Sequence, residues 1–223
     1  MQPVGTVVAF GAAPSAAAAS LDSTALACDF LFAGEDLFPR IKRAHPGSLL
    51  LLLADANDDP ALAAAVKAAR ILQRRGGGEA LLVLPSIPAL PGPQATAHLQ
   101  RAAALTGACV VQPVGKAGWT DAVRCFVEPL AVFGLIGVDP GEIHLLLRPR
   151  AALLHLWDDE ELDRSLQRAR EVLVSCRLRP SASLREVDCA AQRVKSATSA
   201  RLVLAGPEVG PDKGPSALAA VLL

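Results

Sequence analysis

Few side chains in this sequence have the type and spacing for chemistry. Asp139 and Glu142 stand three residues apart in the loop Val138-Asp139-Pro140-Gly141-Glu142 and are the acids that read as functional. An Asp before Pro-Gly is also an ordinary turn residue, so capping the turn after Gly137 is the other reading of the pair. A second polar run, Asp55-Ala56-Asn57-Asp58-Asp59-Pro60, sits between an apolar run and a helical one, where its acids suit a helix N-terminus. At the front, Val4 to Phe10 meets Gly11 and then small residues. Strand, glycine turn and small-residue helix is how a mononucleotide fold begins. A phosphate loop needs several glycines so that backbone N–H groups can crowd the anion. Here only Gly11 is present, and Pro14 removes a donor.

Other chemistries find little support. The histidines His45, His98, His144 and His155 show no pairing with Cys or acid at metal-ligand spacing, so no metal site is expected. His144 and His155 lie in apolar surroundings and read as core or surface histidines. The cysteines Cys28, Cys109, Cys125, Cys176 and Cys189 are odd in number and never C-x-x-C, which argues against a disulfide framework or a zinc site. Cys109 or Cys125 as a nucleophile would need a nearby base, and no G-x-S-x-G elbow is present. With 22 basic and 22 acidic residues the formal charge is zero, which gives no reason to expect nucleic-acid or acidic-membrane binding. A hydrophobic share of 52% supports a substantial core and excludes disorder. The N-terminus lacks a signal peptide's basic region and cleavage site, and Leu49–Ala54 is far short of a membrane span, so a soluble cytoplasmic protein is expected.

The elements that must position these residues alternate between strand and helix. Apolar runs at Val4–Phe10, Asp29–Ala33, Ser48–Ala54, Ala80–Leu84 and Cys109–Gln112 read as buried parallel strands. Helical patterns lie between them at Glu35–Arg43, Ala61–Arg75 and Gln94–Leu105, and Gly76-Gly77-Gly78 reads as a helix end. Pro85 to Pro93 is an extended loop. From Trp119, the residues Ala122, Val123, Phe126, Val127, Leu130 and Phe133 give a central helix an apolar face, with Pro129 expected to kink or shorten it. Then come a strand at Ala151–Trp157, a helix from Asp158 to about Cys176, a helix over Leu184–Val194, and strands at Arg201–Ala205 and Ala217–Leu223. The fold class is α/β, a parallel sheet with flanking helices. It divides into residues 1–116 as a nucleotide-type half, 117–138 as the central helix and 139–223 as a smaller α/β half.

The run Gly134-Leu135-Ile136-Gly137-Val138-Asp139-Pro140-Gly141-Glu142-Ile143 resembles the G-L-[IM]-N-V-D-F-A-D-V loop that ends the central helix of FtsZ, the bacterial tubulin relative. Gly137 replaces its Asn and Pro140 its Phe, and the match runs ungapped through Leu154. The loop around Asp212 is similar to the family's closing strand pair, whereas the strand the family has between the last two helices is not legible. The resemblance covers Ala80 to Leu223 well and the front poorly. Where FtsZ and tubulin carry G-G-G-T-G-T-G around the nucleotide phosphates, this chain has the run Ala54 to Pro60, with no glycine and three carboxylates.

The resemblance implies that Asp139 and Glu142 are acids reaching into the next subunit's nucleotide pocket, and that Gly11, Asp55, Asn57 and Asp58 are a remnant of this chain's own. A truncated, degenerate FtsZ-like architecture is expected. Its implied role is that of a non-catalytic assembly or accessory protein, a cap or modulator of FtsZ filaments in cell division, with complete FtsZ or a second copy as partner and no cofactor of its own. The alternatives are a divergent FtsZ-family protein that binds GTP with Mg²⁺ and keeps some GTPase activity, or a small-molecule-binding α/β domain.

Overall fold

The computed structural model describes residues 5–21, 28–32, 36–43, 49–74, 80–84, 93–131, 134–136, 138–177, 184–207 and 217–223. The Gly76–Gly78 turn, the proline-rich loop from Pro85, Gly137 and the Asp212 loop lie outside them. The front of the chain reads β1 (Gly5–Phe10), α1 (Ala12–Ala19), β2 (Cys28–Phe32), α2 (Leu37–Arg43), β3 (Leu49–Ala54), α3 (Asp59–Gln73), β4 (Ala80–Val83), α4 (Pro93–Thr106) and β5 (Cys109–Pro113). Next come α5 (Trp119–Ala131), β6 (Gly134–Ile136), α6 (Pro140–Leu146), β7 (Ala151–Leu156), α7 (Leu162–Leu166), β8 (Glu171–Cys176), α8 (Leu184–Ala197), β9 (Arg201–Pro207) and β10 (Ala217–Leu222).

The strands form one sheet in the order β2-β1-β3-β4-β5-β7-β10-β8-β9-β6. From β2 to β7 every pairing is parallel. β10 runs antiparallel to both β7 and β8, so β7, β8 and β9 share the direction of the front strands. The carboxyl ends of all these strands lie along one edge of the sheet and their amino ends along the other.

The sheet is covered on both faces, which is why its strands are apolar runs rather than alternating ones. Val8, Phe10, Leu50 and Leu52 belong to one core layer and Val7, Ala9, Leu51 and Leu53 to the other. The first layer is closed by α2, α3, α4, α7 and α8 through residues such as Ile41, Ala65, Leu99, Leu166 and Val194. The second is closed by α1, α5 and α6 through Ala18, Phe126 and Leu146. Alanines at 61, 65, 68 and 69 give α3 a small-residue face, which lets its backbone lie close on the strands.

Two expectations are corrected. The segment from Asp158 to Cys176 is not one helix: it holds the short α7 and then β8. Leu162, Leu166, Ala169, Leu173 and Cys176 have helical spacing, but Val172 to Cys176 is buried continuously between two layers, a case where periodicity cannot separate strand from helix. β8 lies between the last two helices, so the strand that was not legible is present. The segment after the central helix also carries a strand, β6, which pairs antiparallel with the end of β9. The central helix ends two residues past Pro129, which has no N–H to give to the carbonyl one turn back. Among the described residues no helix is long and apolar enough to cross a membrane.

Candidate functional site

The strand order 2-1-3-4-5 places a topological switch point between β1 and β3, and open α/β sheets bind ligands in the crevice beyond the carboxyl ends there. Gly11 leaves β1 with φ 92° and ψ 172°, a region that is essentially glycine-only, and starts α1. Asp55 leaves β3, and its Oδ1 accepts the Asn57 N–H at 2.8 Å. Asp58 caps α3, its Oδ1 accepting the Ala61 N–H at 3.1 Å. Its other oxygen, Oδ2, lies 3.0 Å from where a Cβ on Gly11 would stand. Gly11, Asp55, Asn57 and Asp58 are therefore brought together at the crevice. The central helix closes one side of it, where the Trp119 indole N–H donates to the Ala54 carbonyl at 3.4 Å.

Among the described residues, two features of the crevice oppose a polyphosphate. The Asp58 carboxylate rests against Gly11, the only glycine of the turn, at the start of α1. Pro14 is buried in the first turn of α1 and offers no N–H. A unit negative charge 4 Å from Asp58 would be repelled by about 4 kcal/mol at an effective dielectric near 20. Among the described residues, no group of three or more His, Cys, Asp or Glu is placed to hold a metal ion.

Asp139 and Glu142 lie at the other edge of the sheet. Asp139 is exposed and caps α6, its Oδ1 accepting the Gly141 N–H at 2.7 Å and its carbonyl the Glu142 N–H at 2.8 Å. Glu142 pairs with Arg201 at 3.4 Å, and Arg201 reaches Glu171 at 3.6 Å. Arg150 also pairs with Glu171, and it precedes β7 as Glu171 opens β8 and Arg201 opens β9. The acidic loop thus sits at the amino edge, on the C-terminal half of the sheet. The crevice sits at the carboxyl edge, on the N-terminal half. The six candidate residues form two sites at opposite ends of the strands, not one.

A third cluster was missed by the sequence reading. His155 is fully buried on β7, and its Nδ1 meets Asp159 Oδ2 at 2.9 Å. The His155 Nε2 is buried with no hydrogen-bond partner among the described residues. Burial pushes the Asp159 carboxyl up, but the Glu161 amide and the His155 hydrogen bond and charge outweigh it and hold it below the ordinary value of 3.8. Gly115, at φ 63°, makes room for this carboxylate, since a Cβ there would lie 3.1 Å from Oδ2. The signal in the sequence was a histidine four residues before an acid across a strand end. Three buried cysteines are poor nucleophiles. Burial pushes the Cys28 thiol up to about 12 and Cys176 to about 11, and Cys125 rises through burial and the charges of Glu128 and Asp121.

No known family model matches this chain, and no curated protein does. Among solved structures it is similar to a single-substitution mutant of FtsZ from M. jannaschii, with a TM-score of 0.61 and 14% identity over 99% of this chain and 90% of that one. It is also similar to an empty FtsZ dimer from M. jannaschii, with a TM-score of 0.63 and 15% identity over 99% and 88% of the two chains. At such identity the likeness speaks to architecture: this chain has an FtsZ/tubulin-like fold.

Proposed function

We propose that the protein is a non-catalytic, FtsZ-like assembly protein that takes no GTP of its own and modulates FtsZ filaments from one end. The observation that carries this reading is the Asp58 carboxylate packed against Gly11 in the crevice. It puts a negative charge beside the turn, where it would repel a phosphate. The second support is the separation of the two sites along the strands, since an end that bears Asp139 and Glu142 can dock on another subunit while the crevice end stays closed to nucleotide. Such a chain would add to one end of a filament of complete FtsZ and would not receive the next subunit by a nucleotide-dependent route.

The test is GTP turnover by a complete FtsZ from the same source, titrated with this protein, beside this protein alone. The expected result is a change in turnover in the mixture only, lost when Asp139→Ala and Glu142→Ala are combined. Turnover or stoichiometric GTP binding by this protein alone would overturn the reading of the crevice. No change in the mixture would remove the filament role.

A further inference from the structure

One acid of the Asp139–Glu142 loop is already taken. Arg201 opens β9, 59 residues beyond Glu142, and its Nη2 donates to Glu142 Oε1 at 3.4 Å. The sheet sets this position. Arg201 stands opposite Glu171 in the parallel register of β8 and β9, and its backbone N–H donates to the Arg170 carbonyl at 3.2 Å. Register partners project their side chains from the same face of a sheet. The guanidinium therefore comes out beside the Glu171 carboxylate, with Nη1 3.6 Å from Oε1. Glu142 reaches it from the first turn of α6.

The same guanidinium thus serves two carboxylates, and they differ. The Glu171 side chain is 18% exposed and holds Arg150 with its other oxygen. The Glu142 side chain is 44% exposed, and Arg201 is its one cation among the described residues. When Glu142 leaves, Arg201 keeps Glu171, so no charge is stranded. Asp139, by contrast, is exposed and makes no ion pair among the described residues. The loop therefore presents one open acid and one that is covered.

We infer that Arg201 masks Glu142 from within the chain: it competes with a docking partner for this carboxylate and must release it before Glu142 can engage a second subunit. This regulation presupposes the docking role proposed above for Asp139 and Glu142. An ion pair this exposed is worth little in water, roughly a two- to fivefold shift in an equilibrium. That range suits a contact that tunes docking and does not forbid it. Arg201 lowers the affinity of the loop without itself touching the partner.

The experiment titrates complete FtsZ with variants of the full chain and reads the concentration that gives half the change in GTP turnover. Arg201→Ala is expected to lower that concentration about two- to fivefold. Arg201→Met, which keeps more of the side-chain stem, is run beside it and is expected to do the same. In a Glu142→Ala background, which leaves Asp139 in place, Arg201→Ala is expected to bring no gain. Arg170→Ala removes the same charge from the same edge of the sheet, where Arg170 is exposed and makes no ion pair among the described residues. It is expected to leave the concentration unchanged. Arg201→Ala and Arg201→Met no more potent than wild type, an equal gain from Arg170→Ala, or a gain that survives Glu142→Ala would each overturn the masking. A wild-type effect on turnover would in those cases leave the assembly reading standing. An inert wild type beside an active Arg201→Ala would uphold the masking and remove the filament role of the unaltered chain. Turnover unmoved by any of these chains would overturn both.

Discussion

At the scale of single residues, the carboxylates of this chain divide into those that serve the fold and those left over. Asp58 and Asp139 both cap helices; Asp58 also lies against Gly11 in the crevice, and Asp139 opens α6. Asp159 serves the fold, its carboxylate bridging the buried His155 ring and the Glu161 amide. Its carboxyl is held below its ordinary value, so the ionised form is bound more tightly in the folded state than in the unfolded chain. The stability it contributes is present above pH 3.8 and is lost as pH falls through the lower, folded-state value. Asp159→Asn is expected to cost about 1 kcal/mol at neutral pH, with a gap to wild type that narrows below pH 3.8. Urea midpoints of the two proteins at neutral pH and at about pH 3 check this. A gap that is unchanged at the lower pH would show that the amide of Glu161 and the histidine do not favour the ionised form.

At the scale of elements, the central helix α5 carries an ion pair into the core. Glu128 accepts from Arg177, just past the end of β8, at 2.7 Å, and the two side chains are only 5% and 4% exposed. Arg124, one turn back on the helix, lies 3.8 Å from the other oxygen of Glu128. Removing one partner of a buried pair strands a charge, whereas replacing both by apolar groups of similar size is often nearly neutral. Arg177→Met is therefore expected to destabilise the protein by about 3 kcal/mol, and Glu128→Leu combined with Arg177→Met to recover most of that loss. Equilibrium denaturation of the single and double variants measures both values. A double variant as unstable as the single one would mean that the pair, rather than the stranded charge, holds α5 against β8.

At the scale of the whole molecule, the sheet runs from the front half into the back half without a break. β5 pairs directly with β7, from Val110 opposite Ala151 to Pro113 opposite Leu154. α5 packs on β5 and also on β8, β9 and β10. The two tryptophans report on different parts of this arrangement: Trp119 at the carboxyl end of β3, and Trp157 beyond β7, stacked by Arg193 at 4.9 Å. Trp119→Phe and Trp157→Phe each leave one reporter. The two are expected to give the same urea midpoint, because a continuous sheet and a shared helix make the halves unfold together. Midpoints separated by about 1 M urea would show that residues 1–116 and 139–223 melt as independent units.

The sequence by itself determined the α/β class, the parallel front strands and the central helix. Those segments bury continuous apolar runs or a clear helical face, and their turns carry Gly, Pro and Asp. The resemblance to FtsZ suggested Gly11, Asp55, Asn57 and Asp58 as the remnant of a phosphate site, since the glycines such a site needs are missing from the sequence. The sequence reading misjudged Asp158 to Cys176, where a strand covered on both faces carries no periodicity of its own, and missed the His155–Asp159 pair. Only the tertiary structure decided that the Asp58 carboxylate lies on Gly11 and that Asp139 and Glu142 face the opposite edge from the crevice. These are distances between segments far apart in the chain, and strand order and direction, which local sequence does not encode, set them.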